Sequence, residues 1–437
     1  MAPTISLTHL FVYLTFGFFA SASAQLLAAE ADPFLDTKRL TQAQLVEATL
    51  TFSPALPAKR ANWDAARARI EQALALSDPT ISYGLAPNTI GTRGLDTGQK
   101  FELSQQLPWP GKRRLRGEIA SYEADAARED VATRRQDLIA AAESLFADWV
   151  FVHEAIRINT ANQILWQEFR RIAEVKYATG SATKQDALRA QVEFSLLEHQ
   201  AIVLERRRRE VLAYINALLN RPPDAQLPPP GGLPEPRNLP DAATLRAQAL
   251  TTRPELKALS AYASAYQART DLAQKEFYPD FKITTGYNSL WDREEKRFTV
   301  GVGINIPLYR APKRAANSEA RAMLKRNRWE TEAKASQVES EVQRAFDQVE
   351  ESRHVLGLYR AKLLPLAEET LEAAKSDYQA GSGDFLALVS AEKNTLQTQL
   401  QTKKALADYH QRLAELKRAV GGFDFLDAEA QRQGARP

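Results

Sequence analysis

Tyr177-Ala-Thr-Gly-Ser181 returns 201 positions later as Tyr378-Gln-Ala-Gly-Ser382. Each copy sits between two long helical patterns. In each, a glycine supplies the backbone freedom that a sharp helix-to-helix turn needs. Other pairs keep nearly the same offset: Pro79 and Pro279, Pro108 and Pro307, Lys112 and Lys313, Ala190 and Ala391. A repeat of this length decides the fold. It predicts two similar halves, each a pair of short strands followed by a long helical hairpin.

Working outward from the first turn, nothing breaks a helix between 113 and 178. Leu138, Leu145 and Val152 fall seven apart, interleaved with Ala142, Trp149 and Ile156, the spacing of a coiled-coil seam. About 60 residues rising 1.5 Å each make a rod of roughly 90 Å. So long a hairpin must project or assemble. The chain returns over 183–220. The second hairpin runs over 313–379 and 384–420, with its seam at Val338, Val342, Ala345, Val349, Leu356, Leu363 and Leu366. A kink is expected at Pro365.

Ahead of each hairpin the apolar period drops to two. Residues 80–85, 101–107, 281–287 and 297–306 alternate as strands. Pro108-Trp-Pro-Gly-Lys112, and Pro307 with Pro312, then stop the strand and redirect the chain. The expected boundaries are a leader over 1–24, an N-terminal helical segment over 25–78 and a first repeat over 79–220. That repeat holds a β-hairpin, 79–107, and a helical hairpin, 113–220. A proline-rich linker follows over 221–240. The second repeat, 241–421, has helices over 241–277, a β-hairpin over 279–307 and a helical hairpin over 313–421. A frayed tail closes the chain over 422–437.

The sequence has 437 residues, a formal charge of +3 and no cysteine. Near-neutrality gives no global nucleic-acid signature. Without cysteine there are no disulfides, thiolate metal sites or lipid-modified N-terminal cysteine. Residues 10–20 form a short apolar run, and Ala22-Ser23-Ala24 is a cleavage pattern ahead of Gln25, so a secretory leader is expected. No later stretch is apolar enough for a spanning helix, which leaves a β-barrel as the way across a membrane. Four strands cannot close one, because single-chain membrane barrels start at about eight. Three copies would supply twelve strands and remove the raw edges. The competing reading is a four-stranded sheet beside coiled-coil arms, a periplasmic scaffold or adaptor without a pore.

No catalytic set is present: no cysteine nucleophile, no G-x-S-x-G elbow, no H-E-x-x-H and no dinucleotide fingerprint. No cofactor is expected. Pro110-Gly-Lys-Arg113 lacks the upstream glycine and the Ser or Thr of a phosphate loop. Glu205-Arg-Arg-Arg-Arg-Glu210 is the strongest charge run. Inside a long helix and flanked by acids, it reads as a solvated face rather than a nucleic-acid patch.

The order of these parts resembles the outer-membrane efflux protein (TolC) family over most of 40–421. Local stretches carry the resemblance: Arg253-Pro-Glu-Leu256, Phe277-Tyr-Pro-Asp-Phe281, Leu364-Pro-Leu-Ala-Glu368, and the turns over 177–186 and 378–386. The resemblance implies a fold that is mainly α with a small β part. Long helical hairpins would form a trimeric α-barrel, and four strands per chain would contribute to a shared 12-stranded transmembrane β-barrel. It implies an outer-membrane exit duct reaching into the periplasm. There it would meet a periplasmic adaptor and an inner-membrane pump of the resistance-nodulation-division type. Gln106-Leu-Pro-Trp-Pro-Gly-Lys112 is similar to the strand-to-helix turn of members paired with heavy-metal pumps, which puts metal cations narrowly ahead of drugs or proteins as substrate, although the lack of cysteine and the two methionines speak against a chain of soft copper or silver sites.

On that resemblance the turns become candidate sites. Gly180, Ser181, Gly381 and Ser382 would contact the adaptor. Asp186 and Asp384 would ring the entrance, attract cations, and close the duct through ion pairs with Lys184 and Arg189. His153 and His354, also 201 apart, would stack six imidazoles in a trimer as a metal or pH-sensing collar. The plainer readings are good turn sequences and two surface histidines left by duplication.

Overall fold

The computed structural model describes Phe34 and residues 37–91, 97–291 and 293–422. The leader over 1–24 and the tail from 423 onward lie outside these residues. In chain order come α1 (Gln42–Phe52), α2 (Ala55–Leu74), β1 (Thr80–Ala86), β2 (Gly98–Leu107), α3 (Lys112–Ala178) and α4 (Lys184–Leu218). After the proline-rich segment come α5 (Ala242–Thr252), α6 (Pro254–Lys275), β3 (Phe281–Asn288), the one-turn α7 (Glu294–Arg297), β4 (Phe298–Ile304) and α8 (Arg310–Leu358). A π-helical turn, Tyr359–Leu363, leads into α9 (Leu364–Ala380), and α10 (Phe385–Val420) returns. The order helix, helix, strand, strand, long helix, return helix occurs twice. At 67 residues, α3 is about 100 Å long.

Each half closes around its own apolar cluster, midway along its hairpin. In the first half α1 lays Leu45 and Ala48 against Phe146, Trp149 and Val152 of α3 and Val211 and Ile215 of α4. In the second, α5 lays Leu245 and Ala249 against Val338, Val342 and Val349 of α8 and Leu416 of α10. The predicted seam of the first hairpin is buried at Leu138, Ala142, Trp149 and Val152, with Leu145 and Ile156 partly covered. The second seam holds from Val338 to Leu356 and then fails: Leu363 is 38 % exposed and Leu366 59 % exposed. The reason lies in the π turn just before Pro365. Its extra residue advances the helix phase by one position, so the covered stripe moves to Leu364, Ala367, Leu371, Ala374 and Tyr378. Proline removes a backbone donor and crowds the preceding turn, which places the distortion where a kink was expected.

The proline-rich segment is a strap. Leu40 and Pro230 form a parallel bridge, with Leu40 N donating to Pro229 O at 2.9 Å and Gly231 N to Leu40 O at 2.7 Å. Trp149 Nε1 donates to Pro228 O at 3.2 Å, and Asn216 Nδ2 to Ala225 O at 2.7 Å. Farther on, His410 Nε2 donates to Pro234 O at 2.9 Å. Proline carbonyls, unused by any helix or sheet, thus satisfy buried donors of both hairpins.

The four strands form one antiparallel sheet in sequence order. The register puts alternate side chains on two unlike faces. One face carries Ile81, Tyr83, Leu85, Phe101, Leu103, Ile283, Tyr287, Phe298, Val300, Val302 and Ile304, all well exposed in the single chain. The other carries Ser82, Gly84, Lys100, Glu102, Ser104, Lys282, Thr284, Thr299, Gly301 and Gly303. β1 and β4 are unpaired edges.

Sheet and helices meet at one joint, built from two stretches far apart in sequence. The Trp109 ring stacks between Tyr278 (centroids 5.2 Å apart) and Phe281 (5.5 Å). Trp109 N donates to Asp280 Oδ1 at 2.8 Å. Lys112, 1 % exposed, places its Nζ 2.8 Å from Asp280 Oδ1, 3.1 Å from Glu276 Oε2 and 3.1 Å from Tyr278 O. All three ammonium protons thereby have acceptors, the condition under which a buried charge is tolerated.

Candidate functional site

Both helical turns close by the same scheme. Gly180 and Gly381 adopt φ of 73° and 78°, a left-handed conformation that costs other residues about 1–2 kcal/mol. Ser181 N donates to Lys176 O at 2.7 Å, and its counterpart Ser382 N to Asp377 O at 3.0 Å. Gly180, Ser181, Gly381 and Ser382 are exposed at the end of the hairpins.

The two acids are not alike. Asp186 is the third residue of α4 and completes a capping box: its Oδ2 accepts from Thr183 N at 3.1 Å, while Thr183 Oγ1 accepts from Asp186 N at 3.3 Å. Its carboxylate therefore holds a helix start as well as lying near the turn. Asp384 is the N-cap residue of α10 but makes no side-chain cap bond, and it is exposed. Among the described residues, neither acid pairs with Lys184 or Arg189 inside the chain.

What does tie the two turns together is Lys176, which sequence reading passed over. Its Nζ donates to Tyr378 O and sits 4.2 Å from the centre of the Tyr378 ring. Tyr378 packs with Phe385, Leu388 and Val389 against Trp166, Phe169 and Ala173 of α3 and Ala190 and Leu197 of α4. Burial, with the Asp186 charge adding, pushes the Tyr378 hydroxyl above its ordinary pKa. The end of the protomer is thus one apolar plug joining both hairpins.

The histidines receive different surroundings. His153 is half-buried, its ring edge-on to Trp149 with centroids 4.1 Å apart and its Nδ1 donating to Trp149 O at 2.9 Å. Burial lowers its pKa. His354 is exposed. The two do not meet within the chain, and among the described residues no three His, Cys, Asp or Glu side chains cluster as a metal site. Glu205 to Glu210 is laced by helical pairs such as Arg208 Nη2 to Glu205 Oε1 at 2.8 Å, as expected of a charged helix face.

This geometry can be set beside known proteins. A family model described as outer membrane efflux protein matches residues 45–221 and again 245–422, once for each half. The pyoverdine export outer membrane protein OpmQ of Pseudomonas aeruginosa is 23 % identical over 418 residues, covering 91 % of this chain and 82 % of that protein. The cobalt-zinc-cadmium resistance protein CzcC of Cupriavidus metallidurans is 21 % identical over 365 residues, covering 82 % of this chain and 84 % of that protein. Among solved structures, the outer membrane protein VceC of Vibrio cholerae superposes with a TM-score of 0.72 at 17 % identity, over 87 % of this chain and 96 % of that one. CusC, a transmembrane channel protein, gives a TM-score of 0.75 at 16 % identity, over 87 % and 92 %. With both repeats matched and the fold shared along most of its length, the chain belongs to the outer membrane efflux protein family, a channel protein of the outer membrane and not an enzyme.

Proposed function

We propose that this chain is the outer-membrane exit duct of a tripartite efflux system. As a homotrimer it would passively conduct substrate delivered by an inner-membrane pump, of the resistance-nodulation-division type, through a periplasmic adaptor. The observation that carries this reading is the sheet with one apolar and one polar face and two open edges. Lipid on one side and water on the other is the environment such alternation fits, and only further copies can pair the edges.

The repeat supplies the pairing. Inside the chain β2 joins β3 and links the halves, with Phe101 opposite Tyr287 and Leu103 opposite Thr285. The two hairpins match residue for residue when Gly84 is laid on Gly286: Tyr83 faces Phe101 as Thr285 faces Val300. Carrying the β2–β3 register over to β4 and the next copy's β1 puts Val300 opposite Leu85, Val302 opposite Tyr83 and Ile304 opposite Ile81. The chain has no cysteine, so cross-linking is clean. Val302→Cys combined with Tyr83→Cys should give oxidised dimers and trimers on denaturing gels, and neither single variant should. A protein that stays monomeric, and in the soluble fraction, would favour the scaffold instead.

The turns would form the periplasmic entrance, with Gly180, Ser181, Gly381 and Ser382 facing the adaptor and Asp186 and Asp384 lining the mouth. Asp186→Ala would also remove the return bond of the capping box to Thr183 N, so asparagine is the better probe. Since neither acid pairs with Lys184 or Arg189 inside its own chain, closing contacts would have to form between copies. Asp186→Asn with Asp384→Asn should break them, raising single-channel conductance in planar bilayers, and weaken cation preference. Unchanged conductance and selectivity would reduce the turns to structure. For substrate, the heavy-metal reading draws on the likeness to CzcC and on Gln106 to Lys112. The likeness to OpmQ supports pyoverdine. Loss of tolerance to divalent metals on gene removal would separate the two.

A further inference from the structure

Among the described residues, the buried carboxylate Glu143 is paired with Lys417, whereas Glu392 is buried without such a partner. It lies on α10, two turns from the end of the hairpin, on the stripe formed by Phe385, Leu388, Val389 and Leu396. Its other polar neighbour on that face, the buried Thr395, has its hydroxyl satisfied by Ala367 O and Ala391 O; the rest are apolar and pack in the plug that joins the hairpins. Glu392 is 1 % exposed, and its Oε2 has no hydrogen-bond partner.

The repeat shows what is missing. The counterpart of Glu392 in the first hairpin is Gln191, whose Oε1 accepts from Arg170 Nη1 at 2.9 Å. The counterpart of Arg170 is Leu371, a partly buried member of the plug. The second hairpin therefore buries a carboxylate where the first exposes an amide, and it has leucine where the first has the arginine that meets that amide. The surrounding cations face other groups, and none of them forms an ion pair with Glu392 among the described residues. On α9, Lys375 acts on Glu392 electrostatically but lies 3.9 Å from Glu372. Beside it on α10, Lys393 pairs with Glu193 of α4 at 2.7 Å. On α3, Arg170 faces Gln191 and Glu174.

We propose that Glu392 is a proton-operated lock on the plug: neutral, it seats α10 against α3 and α4; ionised, it drives the end of α10 out toward water. An unpaired carboxylate in an apolar cluster is costly, whereas the protonated acid is tolerated. Burial accordingly raises the pKa of this group from 4.5 to about 7. The packed state holds its proton more tightly than the loosened state. Packing is therefore at full strength below pH 4.5, weakens as pH rises from there through 7, and is weakest above it. A duct of this kind would be shut more firmly in an acidified periplasm. That consequence, though not the lock itself, rests on the proposed function.

The test is amide hydrogen exchange across 385–396 in the full-length protein in detergent, from pH 6 to 8.5 and corrected for intrinsic rates. The unmodified chain should open about tenfold more often at the upper end, one pKa unit of linkage being tenfold. Glu392→Gln should stay protected throughout, since it keeps the shape and cannot ionise. Leu371→Arg, which restores the partner seen in the first hairpin, should also flatten the profile. A flat profile in the unmodified chain, or an unaltered one in Glu392→Gln, overturns the lock. Conductance against pH, recorded on the same proteins, reads the duct separately. No pore at any pH with a steep exchange profile would sink the duct and leave the lock standing.

Discussion

Replacing Arg253 by methionine is expected to cost about 3–5 kcal/mol, the range for breaking a buried ion pair from one side. Arg253 stands between α5 and α6, held extended by the proline that follows it, and is 1 % exposed. Its guanidinium grips Glu255 with two bonds of 3.0 and 2.9 Å. It also donates to Glu341 Oε2 of α8 at 3.1 Å and to Ala419 O, in the last turn of α10, at 2.9 Å. One side chain therefore fastens the short helices to both arms of the second hairpin. Methionine fills much of the volume but leaves two carboxylates and a carbonyl facing each other. Urea denaturation followed by helix circular dichroism measures the loss. The same curve for R253M/E255Q/E341Q should recover most of it, because the stranded charges are gone. If the single variant is as stable as the parent, the arginine is packing only.

Arg253-Pro-Glu-Leu256 was legible as a family-like stretch, yet its role was not. Sequence shows a residue's neighbours along the chain, and Arg253 acts on Glu341 and Ala419. The features that could be read were local or periodic. The turns were visible because the chain repeats itself, and the seam from Leu138 to Val152 because burial follows the helix period. The strands came out within a few residues because the period changed to two. The second seam was misplaced beyond Leu356, since one extra residue in a π turn shifts every later position and leaves no pattern of its own. At the first turn, Thr183-Lys-Gln-Asp186 is a local capping pattern, so the capping role of Asp186 was available to sequence. So was Glu392, as the charged member of an apolar stripe. Lys176 was not, because its partner Tyr378 comes from the other hairpin.

Lys112→Met should cost about 3–5 kcal/mol on the same grounds, with its damage at the joint between sheet and helices. Among the described residues Lys112 is the buried cation that bonds both Glu276 and Asp280; Arg116 pairs with Glu276 from the surface at 3.7 Å and acts on Asp280 only through its charge. Without the ammonium, two carboxylates and the Tyr278 carbonyl lose their donor, and Trp109 loses the anchor that aligns it between Tyr278 and Phe281. The strands would leave the helices at the wrong angle. The variant should therefore reach the outer membrane poorly, and its oligomer should fall apart at lower temperature on detergent gels. The counterpart Lys313 makes the sharper comparison. It is half-buried, and among the described residues it has no ion-pair partner in its own chain. Where Asp280 follows Pro279, Asp78 precedes Pro79, exposed and equally unpaired. If copies join as the halves do, Lys313 of one meets Asp78 of the next. Lys313→Met should then spare the isolated chain and weaken only the assembled oligomer, with Asp78→Asn weakening it no further. Equal loss from Lys112→Met and Lys313→Met before assembly would show that the joint inside the chain is not the pattern for the joint between copies.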